Sequence, residues 1–260
     1  MSTKHPIIAV TGSSGAGTTT VMKSFDPIFR REKLKAAVIE GDAFHRFDRV
    51  GMKREMKSRE AAGARDFSHF GPDANLLVEL EGAFKDYGER GRCRTRHYLH
   101  DAEEATPYAQ EAGTFTPWTE TDEATDLLFY EGLHGAYADE KVNVARHVDL
   151  LSGVVPIINL EWIQKLHRDK TLRGYSQEAV IDTMLRRMPD YVNSICPQFS
   201  RTDINFQRIP TIDTSNPFTA TEIPTNDESL VVIHIQNRRK IGPDFRYLLE
   251  MLNGAISTTF

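Results

Sequence analysis

Apolar residues fall along this chain in short dense runs, separated by longer stretches in which they recur every three or four positions. The runs have the length of buried strands and the stretches have the period of amphipathic helices, so the alternation predicts a mostly parallel sheet flanked by helices. The first run, residues 7–10, stops at Gly12, and Val21, Phe25, Ile28 and Phe29 then mark a helix from about Thr18 to Arg31. Residues 36–39 and 127–130 predict two more strands. Each ends in an acid beside a glycine, as Glu40-Gly41-Asp42 and as Glu131-Gly132. A fourth strand is expected over 154–159, at an edge or irregular, because Pro156 cannot donate to a ladder. Helices are expected over 48–61, 73–87, 160–171 and 176–194, and residues 101–124 show no period and read as a surface excursion. In the C-terminal third, 205–213 and 230–236 look like strands with no helix between them, which predicts antiparallel strands added at the edge. The whole chain, 1–260, reads as one α/β domain.

Composition narrows the function classes. The chain has 260 residues, 40% of them apolar, enough to fill a sizeable core, and a formal charge of −5. That charge argues against a nucleic-acid partner. No apolar run approaches the roughly 20 residues needed to cross a bilayer, and the start of the chain does not read as a signal peptide. Two cysteines, Cys93 and Cys196, form no disulfide framework, so a reducing cytoplasm is the expected compartment.

Candidate chemistry begins between the first strand and the first helix. Gly12-Ser13-Ser14-Gly15-Ala16-Gly17-Thr18-Thr19-Thr20 has the small residues that let successive backbone N–H groups curl toward a phosphate, and the helix start adds its positive end. This context predicts a P-loop for ATP, with the Thr19 hydroxyl placed for Mg²⁺. An ordinary glycine–serine turn is the plain alternative. Thr18 stands where a Walker A motif carries lysine, so the positive charge has to come from elsewhere.

In open parallel sheets ligands sit beyond the carboxyl ends of the strands, which puts Asp42 and Glu131 on the phosphate side. Phosphoryl transfer to an alcohol needs one carboxylate near the acceptor hydroxyl and another near the metal. Asp42 suits the base and Glu131 the metal, and the two can exchange roles. His45, Arg46 and Arg49 follow Asp42, and Arg94, Arg96, His97, Tyr98 and His100 crowd a second stretch. Such groups suit an anionic, hydroxylated acceptor; a solvated, salt-bridged face is the alternative for each residue singly. Lys165, Arg168 and Asp169 share one helix face in a segment running to Arg173-Gly174. This segment can close as a lid and bring the missing charge, or be an exposed helix with one ion pair. Arg186-Arg187, late in the next helical stretch, reads as a second lid contact or as a solvated helix end.

GSSGAGTTT (12–20), EGDAFHR (40–46), FYEGLHG (129–135), NLEWIQKLHRD (159–169) and TDINFQRIP (202–210) together resemble the bacterial phosphoribulokinase family over most of the chain. The resemblance implies a P-loop kinase-like fold and phosphorylation of the 1-hydroxyl of D-ribulose 5-phosphate by Mg-ATP, within CO₂ fixation. It also implies tolerance of threonine at position 18. By the same likeness Asp42 is the catalytic base, Glu131 the metal acid joined by Thr19 and Asp42, and Asp169 a further acid. His45, Arg49, Lys165, Arg168 and Arg173 then serve the sugar phosphate or the transferring phosphoryl, helped by Tyr98 and His100. The family implies a homo-oligomer, commonly an octamer, activated by NADH, with Arg31 as an effector contact. His234 stands where an NADH-responsive member is expected to carry arginine. Family members are also expected to continue beyond the position of Phe260. Two rivals remain: a uridine-kinase-like or pantothenate-kinase-like enzyme, separated by acceptor preference, and a non-catalytic nucleotide-binding regulator, separated by a measurable kinase rate.

Overall fold

The computed structural model describes residues 4–122, 124–171 and 174–236, together with 242, 246, 247 and 250. Its main elements are β1 (Ile7–Gly12), α1 (Thr18–Glu32), β2 (Ala36–Glu40), α2 (Arg49–Ala61), α3 (Leu77–Arg90), β3 (Arg94–Thr95) and α4 (Ala102–Ala105). Then come β4 (Thr119–Glu120), β5 (Leu127–Gly132), β6 (Leu150–Val154), α5 (Ile158–Thr171), α6 (Gln177–Arg186), β7 (Ile204–Pro210) and β8 (Ser229–Ile235). Six strands form one sheet in the order β2-β5-β1-β6-β7-β8, all parallel except β8, which runs antiparallel to β7.

The strands are short and apolar because helices cover both faces of the sheet. Ile7, Ala9, Ile39, Leu128 and Tyr130 enter one core with Leu80, Phe84 and Tyr87 of α3, while Val10, Leu127, Phe129 and Val154 enter the other with Phe29 of α1. Phe129 lies 5.0 Å from Phe25 and 5.5 Å from Phe29, ring centre to ring centre. Ile28, expected on the buried stripe, is exposed.

Three expectations need correction. The fourth strand is Leu150–Val154, not 154–159, and it lies inside the sheet between β1 and β7. Ser152-Gly153 interrupts its apolar pattern. Pro156 falls beyond its end, flanked by Val155 and Ile157, whose N–H groups donate to carbonyls of Phe206 and Arg208 on β7. The helix expected over 176–194 stops at Arg186, before a short turn containing Pro189 and a wide turn at Tyr191–Ile195. Finally, the excursion 101–124 is anchored: β3 pairs with β4, Tyr98 bridges Phe115, and Leu99, Ala105 and Thr116 are buried. Among the described residues no helix is long and apolar enough to cross a membrane.

Candidate active site

The phosphate loop takes the shape its small residues allow. Gly15 and Gly17 have φ of 106° and 97°, and Ala16 N–H closes a turn onto the Ser13 carbonyl at 3.0 Å. The first turn of α1 carries no acid, so its positive end faces the loop uncompensated. A Cβ at Gly15 would lie 3.1 Å from both the Glu161 carbonyl oxygen and the Lys165 Cβ, so α5 packs directly on the loop backbone. From that helix Arg168 Nη2 donates to Ser14 Oγ at 3.0 Å, and its Nε to Asp169 Oδ1 at 3.0 Å. Lys165 pairs with Asp169, and both side chains are only 6% exposed, so this is a buried pair and not the solvated one of an exposed helix. Burial, with Arg187 nearby, brings the Lys165 ammonium down to about 7 against the pull of Asp169. Cations are thus carried to the loop that Thr18 leaves uncharged.

The two acid-bearing turns are joined by their glycines. A Cβ on Gly132 would lie 2.7 Å from Gly41 Cα and 2.7 Å from the Tyr130 hydroxyl, so neither turn tolerates a side chain there. Glu131 stands opposite Val10 of β1 and Glu40 of β2. Because β5 separates β1 from β2, Asp42 reaches the loop from two strands away and Glu131 from one. Burial pushes the Glu131 carboxyl up to about 7; the Thr18 hydroxyl, hydrogen-bonded to it, opposes this, and the charges of Asp42 and Glu40 reinforce it. Glu40 is raised by burial and by Asp42. For Asp42 burial acts upward, but the charge and hydrogen bond of His45, then His100 and His69, hold it well below the usual carboxylate range.

On the acceptor side His45 Nε2 meets Asp42 Oδ1 at 3.1 Å and His100 Nε2 meets Oδ2 at 3.4 Å. His45 Nδ1 faces Asn75 Oδ1 at 2.9 Å, and Asn75 Nδ2 donates to the carbonyls of His69 and Gly71, which fixes the amide. Both ring nitrogens of His45 therefore face oxygens. His69 stacks on His45 with centroids 4.1 Å apart, and burial first, then the charge of His45, lowers its pKa. Arg49 Nη2 donates to the His100 carbonyl at 2.6 Å and Arg49 also bonds the Tyr98 side chain, whose ring meets His100 edge-on.

The structure thus gathers Asp42, His45, Arg49, Tyr98 and His100 into one contacting set, brings Glu131 to Thr18 of the loop, and sets Lys165, Arg168 and Asp169 on the helix that packs against Ser14 and Gly15. Arg173 lies outside the described residues. Arg94 is exposed on β3, and Arg96 turns inward to donate to the carbonyls of Ala43 and His45. Arg187 is not a solvated end: its guanidinium lies 5.0 Å over the Phe70 ring, close enough to influence Lys165 and Glu161. Arg31 pairs with Glu32, and His234 with Gln207.

Glu161 escaped the sequence reading. It is 4% exposed, accepts from Tyr191 Oη at 3.4 Å, and burial pushes its carboxyl up to about 7. The signal was present, since Glu161, Lys165 and Asp169 follow at four-residue intervals on one helix face.

The donor chemistry fits a hard dication. Glu131 is a half-buried carboxyl with the Thr18 hydroxyl and two acidic neighbours, Asp42 and Glu40, beside it, an arrangement that a positive ion relieves. No group of three or more His, Cys, Asp or Glu side chains among the described residues is set to hold a metal. Magnesium needs none, because it takes one or two carboxylates and fills its octahedron with water and substrate phosphates.

Residues 7–215 match the description of the Phosphoribulokinase / Uridine kinase family. The chain is similar to a phosphoribulokinase of Nitrobacter vulgaris, 61% identical over 96% of this chain and 85% of the relative. It is also similar to the chromosomal phosphoribulokinase of Cupriavidus necator, 61% identical over 97% and 86%. The solved phosphoribulokinase of Rhodobacter spheroides superposes with a TM-score of 0.84 at 58% identity, covering 95% of this chain and 85% of that one.

Proposed function

The chain belongs to the phosphoribulokinase / uridine kinase family, and from that premise we propose that it transfers the γ-phosphoryl group of ATP to the 1-hydroxyl of D-ribulose 5-phosphate, supplying the bisphosphate for CO₂ fixation. One relationship supports the reading: the strand order places the Asp42 turn, with its histidines, on one side of β1 and its loop, and α5, with Lys165 and Arg168, follows β6 on the other.

The backbone N–H groups of residues 12–20 receive the polyphosphate, and Lys165 and Arg168 supply the charge that Thr18 lacks. Asp169 keeps Lys165 aligned. Asp42 orients the acceptor hydroxyl and accepts its proton; held ionised by its histidines, it takes that proton only as the hydroxyl oxygen begins to bond phosphorus. His45, Arg49, Tyr98, His100 and Arg173 receive the sugar phosphate, whose dianion calls for arginine. Glu131, Thr19 and Asp42 would hold Mg²⁺, which when bound neutralises the β- and γ-oxygens.

Two free thiols, Cys93 and Cys196, suit a reducing cytoplasm. A homo-oligomer, octameric by resemblance, is supported by β8, the outermost strand, where Leu230, Val231, Val232 and Ile233 are all exposed; a second copy is the occupant that such an edge calls for. NADH remains the proposed effector, with Arg31 as its contact.

The deciding experiment is ADP release measured side by side with ribulose 5-phosphate, uridine and pantothenate. Turnover with ribulose 5-phosphate alone supports the reading; faster turnover with uridine would replace it.

A further inference from the structure

The guanidinium of Arg96 is held between two aromatic rings, 3.6 Å from the centroid of Phe115 and 4.6 Å from that of Trp118. Its Nε donates to the Ala43 carbonyl at 2.8 Å and its Nη2 to the His45 carbonyl at 2.7 Å. Among the described residues it has no ion-pair partner, and burial lowers its pKa. A cation removed from water in this way needs its carbonyl and ring contacts to offset the desolvation.

Those two carbonyls belong to the short 3₁₀ turn, Gly41–Phe44, and to the residue that caps it. Such turns have weak bonds of their own, here His45 N–H to the Asp42 carbonyl at 3.2 Å. The turn is therefore fixed from outside. Trp118 adds a second restraint by meeting Phe44 edge-on at 5.5 Å. On its other side Arg96 is two residues from Tyr98 and four from His100, while Tyr98 bridges Phe115 in the same arm. One side chain thus links the segment that touches the acceptor to the turn that carries Asp42 and His45.

We propose that Arg96 is a positioning residue for the phosphoryl transfer: through the carbonyls of Ala43 and His45 it holds the Asp42 carboxylate at the acceptor hydroxyl. The inference rests on the reading of Asp42 as the base. Lysine cannot replace it, because an ammonium presents no planar fork to two carbonyls and no flat face to two rings.

The test is steady-state kinetics on the full chain carrying Arg96→Lys or Arg96→Ala, with thermal melting run alongside and Asp42→Asn as a separate arm. A displacement of about 1 Å at a reacting group costs on the order of 100-fold. The expected result is a loss in kcat of that size for both Arg96 variants, with the KM for ATP within about twofold of the parent. Added guanidinium ion at millimolar concentration is expected to restore part of the kcat of Arg96→Ala and none of that of Arg96→Lys. Should Arg96→Ala fail to fold, Arg96→Lys alone decides. A folded Arg96→Lys with near-parental kcat, beside an inert Asp42→Asn, overturns the role of Arg96 and leaves the base in place. Normal turnover by Asp42→Asn removes the base and this proposal with it.

Discussion

The Tyr130 hydroxyl lies so near Gly41 that a Cβ at position 41 would stand 2.5 Å from it and 2.9 Å from the Cα of Gly132. Tyr130 is buried and cannot swing away, and the other neighbour is backbone. Gly41→Ala must therefore displace one of the two acid-bearing turns. Overpacking of this kind costs roughly 1–3 kcal/mol, and urea denaturation is expected to read a loss in that range together with a fall in kcat. Unchanged stability and activity would mean that the turns are softer than their packing implies.

Asp42→Asn keeps the size of the side chain and removes its basicity. ATP binding, followed by nucleotide-dependent protection against heat, should persist, while transfer to ribulose 5-phosphate drops by about 10²–10⁴-fold, the usual worth of a positioned base. Turnover close to normal assigns the base elsewhere.

Arg49 reaches the His100 carbonyl and the Tyr98 side chain together. Removing it in Arg49→Ala loosens the acceptor side without touching the phosphate loop. The KM for ribulose 5-phosphate is expected to rise by about tenfold or more, a loss of at least about 1.4 kcal/mol, with the KM for ATP unchanged. Equal rises in both would place Arg49 outside the sugar-phosphate site.

Glu131 binds a proton more tightly folded than unfolded, at about 7 against an ordinary 4.5. Between those values the native chain holds the extra proton, so this group's contribution to stability is present at low pH and is lost as pH rises through about 7. Mg-ATP binding favours the ionised carboxylate and should expel that proton. Calorimetry at pH 6.5 in buffers of different ionisation enthalpy is expected to find proton release on binding, reduced in Glu131→Gln. Identical release in the variant would locate the titration at another group.

Much of this was legible from the chain itself, because local chemistry writes local signals. The glycine-rich loop between strand and helix, the acids at the tips of β2 and β5, and the shared face of Lys165, Arg168 and Asp169 each follow from spacing. What escaped depends on partners distant in sequence. Arg96 resembles any solvated arginine until Phe115 and Trp118, about twenty residues on, close over it. Arg187 looks like a helix end until Phe70 lies beneath it. Strand β6 was displaced in the reading because Ser152 and Gly153 dilute an apolar run whose burial comes from neighbours on both sides.

Thr18 leaves the loop without a charge of its own, and Arg168 reaches it from a helix about 150 residues further along the chain. During synthesis the loop, β1 and α1 therefore emerge long before the cations proposed to grip a polyphosphate. Tight nucleotide capture is a property that a growing polypeptide acquires late, after α5 has left the ribosome and found its seat on Gly15.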